Sequence, residues 1–88
     1  KLSPKFVNKE EERLIDKKNL IANLHFIWCA KEAIYKTIHK SCSFKKDIFI
    51  TKLNNKNNIN AYYKTNTKYK IIFEKINDYY FAIAIKYE

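Results

Sequence analysis

The sequence predicts an α+β fold, two N-terminal helices followed by an antiparallel sheet of three or four strands, and the change of hydrophobic period carries that prediction. From Leu20 to about His39 apolar residues recur at helical spacing, whereas beyond Lys40 they alternate singly. Two of the alternating runs flank Asn77-Asp78, a hairpin signal. With 47% hydrophobic and 16% aromatic residues, the 88-residue chain can build one core and therefore one domain.

The first helix opens at Asn8. Asn8-Lys-Glu-Glu11 fits a capping box, and Glu10, Glu11 and Glu12 suit the positive end of a helix dipole. This helix is predicted to reach about Lys18. The second helix places Leu20, Leu24, Ile27, Ile34, Tyr35 and Ile38 on one arc, with Phe26, Cys29, Ala30 and Ala33 opposite. Apolar nearly all round, it is predicted to be long, central and buried. Lys31 falls inside the apolar arc, Glu32 at its edge and Lys36 further round. Buried ions are costly without partners, so these three positions are the first candidates for function.

The strands are predicted at Asp47–Leu53, Asn60–Lys64, Lys68–Ile76 and Tyr79–Tyr87, with a polar loop over 54–58. Tyr79, Phe81, Ile83, Ile85 and Tyr87 share one face of the last strand. The chain has no glycine, so Asn is expected at turn positions that need positive φ.

The formal net charge of +9 favours acidic partners, although Arg13 is the only arginine and a Lys-, Asn- and Ile-rich bias contributes to the excess. Cys29 and Cys42 match no zinc ribbon or redox pair, so a reducing cytoplasm is the expected compartment. No run approaches the ~18 apolar residues of a membrane span, and no signal peptide is recognisable, so no membrane partner is expected.

The segment Trp28-Cys-Ala-Lys-Glu-Ala-Ile-Tyr-Lys36 resembles the signature of the 4′-phosphopantetheinyl transferases: an aromatic, two residues, Lys-Glu-Ala, and a second Lys four positions after the Glu. Upstream, Phe6-Val-Asn-Lys-Glu-Glu11 resembles the stretch that opens a helix and carries a glutamate; downstream, Ser41-Cys-Ser-Phe44 resembles the loop after the signature helix. The resemblance covers about residues 5–53 and leans to the double-length form of the family, which makes 1–88 the C-terminal half of such an enzyme. It implies transfer of the phosphopantetheine arm of coenzyme A to a serine of an acyl or peptidyl carrier protein, as in fatty acid biosynthesis, with release of adenosine 3′,5′-bisphosphate. It implies Glu32 as a Mg²⁺ ligand, Lys31 and Lys36 on the phosphates, Glu11 as the base or the residue orienting a water, and His39 and Lys40 near the nucleotide. A second half, or further copies of the chain, would complete the cleft.

Plainer roles compete with each of these. Glu32 and Lys36 stand four apart in the order that favours a surface ion pair, Glu11 can serve simply as the capping-box acid, and Lys31 can extend to water along its methylenes. Trp28 suits packing, His39 a helix end and Cys29 a small filler. The family's aspartate, on a strand ahead of the Asn8 helix, has no counterpart in residues 1–7 and is expected upstream of Lys1. The loop Thr37 to Ser43 also lacks the family's glycines, leaving phosphate contacts there to side chains. Two other functions are consistent with these departures and with the charge: a catalytically incomplete relative used for binding or assembly, and a small basic nucleic-acid-binding domain. No RNP-like, KH-like or helix-turn-helix signature supports the last, so no nucleic-acid partner is expected.

Overall fold

The computed structural model describes residues 5–38, 41–53, 59–64, 67–77 and 79–87, with only the backbone of 75, 76 and 80. One long helix lies across one face of a four-stranded antiparallel sheet whose order follows the chain, β1 (Ile48–Leu53), β2 (Ile59–Tyr63), β3 (Thr67–Ile76) and β4 (Tyr79–Lys86). The predicted α+β meander is therefore what forms.

Register follows side-chain alternation. Ile50 pairs with Ala61, Ile59 with Ile71 and Ile71 with Ala84, so one face collects the buried Ile48, Ile50, Ile59, Ala61, Tyr69, Ile71 and Phe73. Against it lie Ile27, Ala30 and Ile34 of α2 (Leu20–Tyr35), spaced three and four apart. A Phe26–Phe73 edge-to-face contact at 5.0 Å and a Thr37–Tyr69 hydroxyl pair at 3.0 Å fix the helix to β3. β4 also meets α2, showing it the small side chains Ala82 and Ala84. The alternate residues Phe81, Ile83, Ile85 and Tyr87 stay exposed on the outer face, where Ile83 pairs with Ile72.

Three expectations are corrected. The first helix ends early: α1 spans only Lys9–Glu12. Leu14 and Ile15 then close three-residue turns, and Asp16 caps a 3₁₀ turn over Lys17–Asn19 by accepting from Lys18 N at 3.0 Å. An Asp that offers its own acceptor to the backbone competes with helix continuation. α2 likewise stops at Tyr35, because Thr37 N and Ile38 N bond back three residues and the Thr37 hydroxyl takes the same Ile34 carbonyl. Nor is α2 buried all round. With a sheet on one side only, Leu20, Ile21, Trp28 and Tyr35 remain exposed.

Asn77 takes positive φ (56°) in the last hairpin, as expected of Asn, but Lys64 does so as well (54°). The amide of Lys64 is tied to the Asp47 carbonyl at 2.6 Å, which holds the backbone in that turn.

Candidate active site

The site is built on a buried ion pair that joins four segments. Asn8 and Glu11 form the capping box reciprocally: Glu11 N donates to Asn8 Oδ1 at 2.9 Å, and Asn8 N to Glu11 Oε1 at 3.0 Å. The other carboxylate oxygen, Oε2, accepts from Ile50 N at 2.7 Å. β1 is an edge strand, so this carboxylate occupies one of its free backbone donors. Lys31 reaches the same acid from α2, with Nζ 2.8 Å from Oε1. It donates as well to the carbonyls of Phe6 (2.7 Å) and Phe44 (2.6 Å). An ammonium has three donors, and all three are used. Both side chains are 0% exposed. Burial pulls the Lys31 pKa below its ordinary value, and the hydrogen bond and negative charge of Glu11 oppose that shift.

Lys31 and Glu11 are thus both enclosed, with their hydrogen bonds directed inward. Removing the cap tests the first link: Asn8→Ala should lower stability by about 1 kcal/mol, read as a shift in urea midpoint.

Glu32, the next residue, faces elsewhere. With Cys29, Ala33 and Lys36 of α2 and Phe81, Ala82 and Ala84 of β4 it lines a cleft of about 210 Å³. The Glu32 side chain is half-buried, yet among the described residues it has no hydrogen bond and no ion pair. The surface pair with Lys36 is thus not formed, although both charges act on the same place. The Cys29 thiol pKa is raised by burial first and by Glu32 second, while Lys36 lowers it. His25 Nε2 also lies 3.5 Å from the Cys29 sulfur.

The structure therefore brings Glu32 and Lys36 together at one cleft and sets Lys31 and Glu11 apart in the interior. His39 and Lys40 lie outside the described residues. The β4 wall of the cleft was not anticipated as part of a site. Its signal is the Phe81-Ala-Ile-Ala84 alternation, where small residues on one face mark a close helix.

Among the described residues no three His, Cys, Asp or Glu side chains converge on a possible metal position. Among the described residues the carboxylate of the cleft is that of Glu32. That suits Mg²⁺, which commonly takes one or two carboxylates and completes its shell with phosphate oxygens and water.

A helix carrying a carboxylate and a lysine at a cleft beside an antiparallel sheet defines the class of this α+β domain. The chain belongs to the 4′-phosphopantetheinyl transferase superfamily, whose family model matches residues 1–84. Neither the curated proteins nor the solved structures contain a significant match. Membership makes the chain a transferase at the level of the superfamily, whose members act on carrier proteins with coenzyme A. Among the described residues no helix is long and apolar enough to cross a membrane.

Proposed function

We propose that the chain transfers the 4′-phosphopantetheine arm of coenzyme A to a serine of an acyl or peptidyl carrier protein, releasing adenosine 3′,5′-bisphosphate. The observation that carries this reading is the Glu32 carboxylate, without hydrogen bond or ion pair among the described residues, facing a cleft with Lys36 in a chain of this superfamily. In the reaction the serine oxygen forms a bond to the β-phosphorus of coenzyme A as the anhydride bond to the bisphosphate breaks, and the serine proton passes to solvent water.

Glu32 would hold Mg²⁺, which when bound neutralises the diphosphate and polarises its oxygens. Lys36, at the C-terminal end of α2, presents its ammonium to phosphate from the exposed rim of the cleft. In this reading Lys31 and Glu11 are positioning residues. They anchor α2 to α1, β1 and the loop at Phe44, which fixes the direction in which the adjacent Glu32 projects. A second half or further copies of the chain complete the cleft, and the two free thiols, Cys29 and Cys42, suit a cytoplasmic setting.

The test is direct. Apo carrier protein incubated with the chain, coenzyme A and Mg²⁺ should gain the mass of the phosphopantetheine arm. One alternative is a relative that binds but does not transfer: among the described residues no second carboxylate joins Glu32 in the cleft. Carrier or coenzyme A binding with no mass gain, even after an upstream half is supplied, would establish that alternative.

A further inference from the structure

Away from the core, α2 carries three side chains of metal-ligating type on one stripe. His25, Cys29 and Glu32 stand four and then three positions apart, which makes them neighbours on the helix surface. His25 Nε2 lies 3.5 Å from the Cys29 sulfur, and Nδ1 lies 4.0 Å from it. A zinc ion holds sulfur at about 2.3 Å and nitrogen at about 2.0–2.1 Å, and at the tetrahedral angle those bonds set the two atoms about 3.5 Å apart. The pair is thus spaced as two ligands of one ion. His25 is exposed and Cys29 half-buried, and Cys29 lines the cleft of about 210 Å³ together with Glu32. The Glu32 carboxylate has no hydrogen bond or ion pair among the described residues, and its charge acts on the Cys29 thiol. A cation seated on the sulfur would relieve the repulsion between the two groups.

We propose that His25 and Cys29 hold a divalent cation that prefers thiolate and imidazole, with Zn²⁺ as its representative, and that this ion opposes Mg²⁺ at Glu32. The imidazole and the thiolate supply a bond each and water the rest, since among the described residues no third His, Cys, Asp or Glu converges on them. Binding replaces the thiol proton, which passes to solvent. Ligand chemistry separates the two ions. Sulfur and imidazole nitrogen select zinc and similar transition metals, whereas Mg²⁺ takes oxygen. Cys29 and Glu32 are less than one helical turn apart, so dications on both would repel each other at close range. The metal site stands on the His25–Cys29 geometry alone, and the antagonism rests on the transferase reading of Glu32. A thiol that donates to the imidazole and takes up no ion is the plainer role of the same contact.

Co²⁺ serves as the probe, because its thiolate complexes absorb in the near ultraviolet. The full chain, reduced and stripped of metal, should develop that band on Co²⁺ titration, and Zn²⁺ should displace the cobalt. Cys29→Ser should abolish the band, and His25→Ala should weaken Co²⁺ binding about tenfold or more. Cys42→Ser, which removes the other free thiol, should leave band and affinity unchanged. Far-ultraviolet circular dichroism checks that each variant keeps its fold. In the transfer assay Zn²⁺ should raise the Mg²⁺ concentration needed for half-maximal rate. His25→Ala should transfer normally without zinc and lose most of the zinc sensitivity. No band in the wild-type chain, or equal Co²⁺ affinity in His25→Ala, overturns the site; the contact is then a hydrogen bond, or the thiol an adventitious ligand. Zinc inhibition identical in wild type and His25→Ala overturns the antagonism. A chain that binds Co²⁺ through both residues but transfers nothing removes the transferase reading, and the antagonism with it, while the metal site stands.

Discussion

Lys31→Met is expected to destabilise the fold by about 3–5 kcal/mol, the usual cost of removing one partner of a buried ion pair. The substitution leaves the Glu11 carboxylate fully enclosed, with the amides of Asn8 and Ile50 as its remaining donors. It also takes the donor from the carbonyls of Phe6 and Phe44. Against the about 5–15 kcal/mol of a typical domain, and a small core at the lower end, this loss would leave a measurable fraction unfolded at room temperature. Urea denaturation followed through Trp28 reports the change. Glu11→Gln/Lys31→Met should be less destabilised than the two single changes summed, because the second substitution removes the stranded charge. A Lys31→Met midpoint equal to that of wild type would show that the pair does not hold these segments together. The cycle also separates anchoring from catalysis: a base at Glu11 would lose transfer in Glu11→Gln at unchanged stability, whereas an anchor loses stability first.

Much of this arrangement was legible in the sequence, and particular residues show where legibility stops. The period switch near Lys40 gave the helix and the meander, because side-chain direction alone separates a 3.6-residue repeat from a two-residue one. Asn8 and Glu11 announced their capping box by spacing. The direction of Lys31 was not legible. A lysine in an apolar arc either extends to solvent or finds a buried acid, and the acid lies twenty positions away on another element. The burial of α2 was overestimated for a related reason. Trp28, Tyr35, Leu20 and Ile21 count as apolar in any periodicity, yet a single sheet covers only the face carrying Ile27, Ala30, Lys31 and Ile34. The early end of the first helix turned on Asp16, whose side chain captures the Lys18 amide that a continuing helix would have used. Phe44 escaped notice as a site residue because a lone aromatic in a loop carries no pattern. Its part emerges only when Trp28 and Tyr35, both on α2, close on its ring.

Adjacent residues of α2 thus have opposite tasks, and the pair Lys31-Glu32 divides between interior and cleft because consecutive helical positions differ by about 100°. From this division follows the second large effect. Glu32→Gln should reduce transfer to carrier protein by about a hundredfold or more, since the cleft loses the one carboxylate it has among the described residues and with it the protein ligand proposed for Mg²⁺. The same change should move stability by no more than about 0.5 kcal/mol, because among the described residues no hydrogen bond or ion pair is lost with it. Lys36→Ala should weaken coenzyme A binding more than it weakens the fold, being exposed at the helix end. Transfer rates and thermal midpoints measured side by side make the distinction. Lys31→Met loses folding, and Glu32→Gln loses chemistry on an intact scaffold. Were Glu32→Gln to transfer at the wild-type rate, the cleft between α2 and β4 would not be the place where the phosphate reacts.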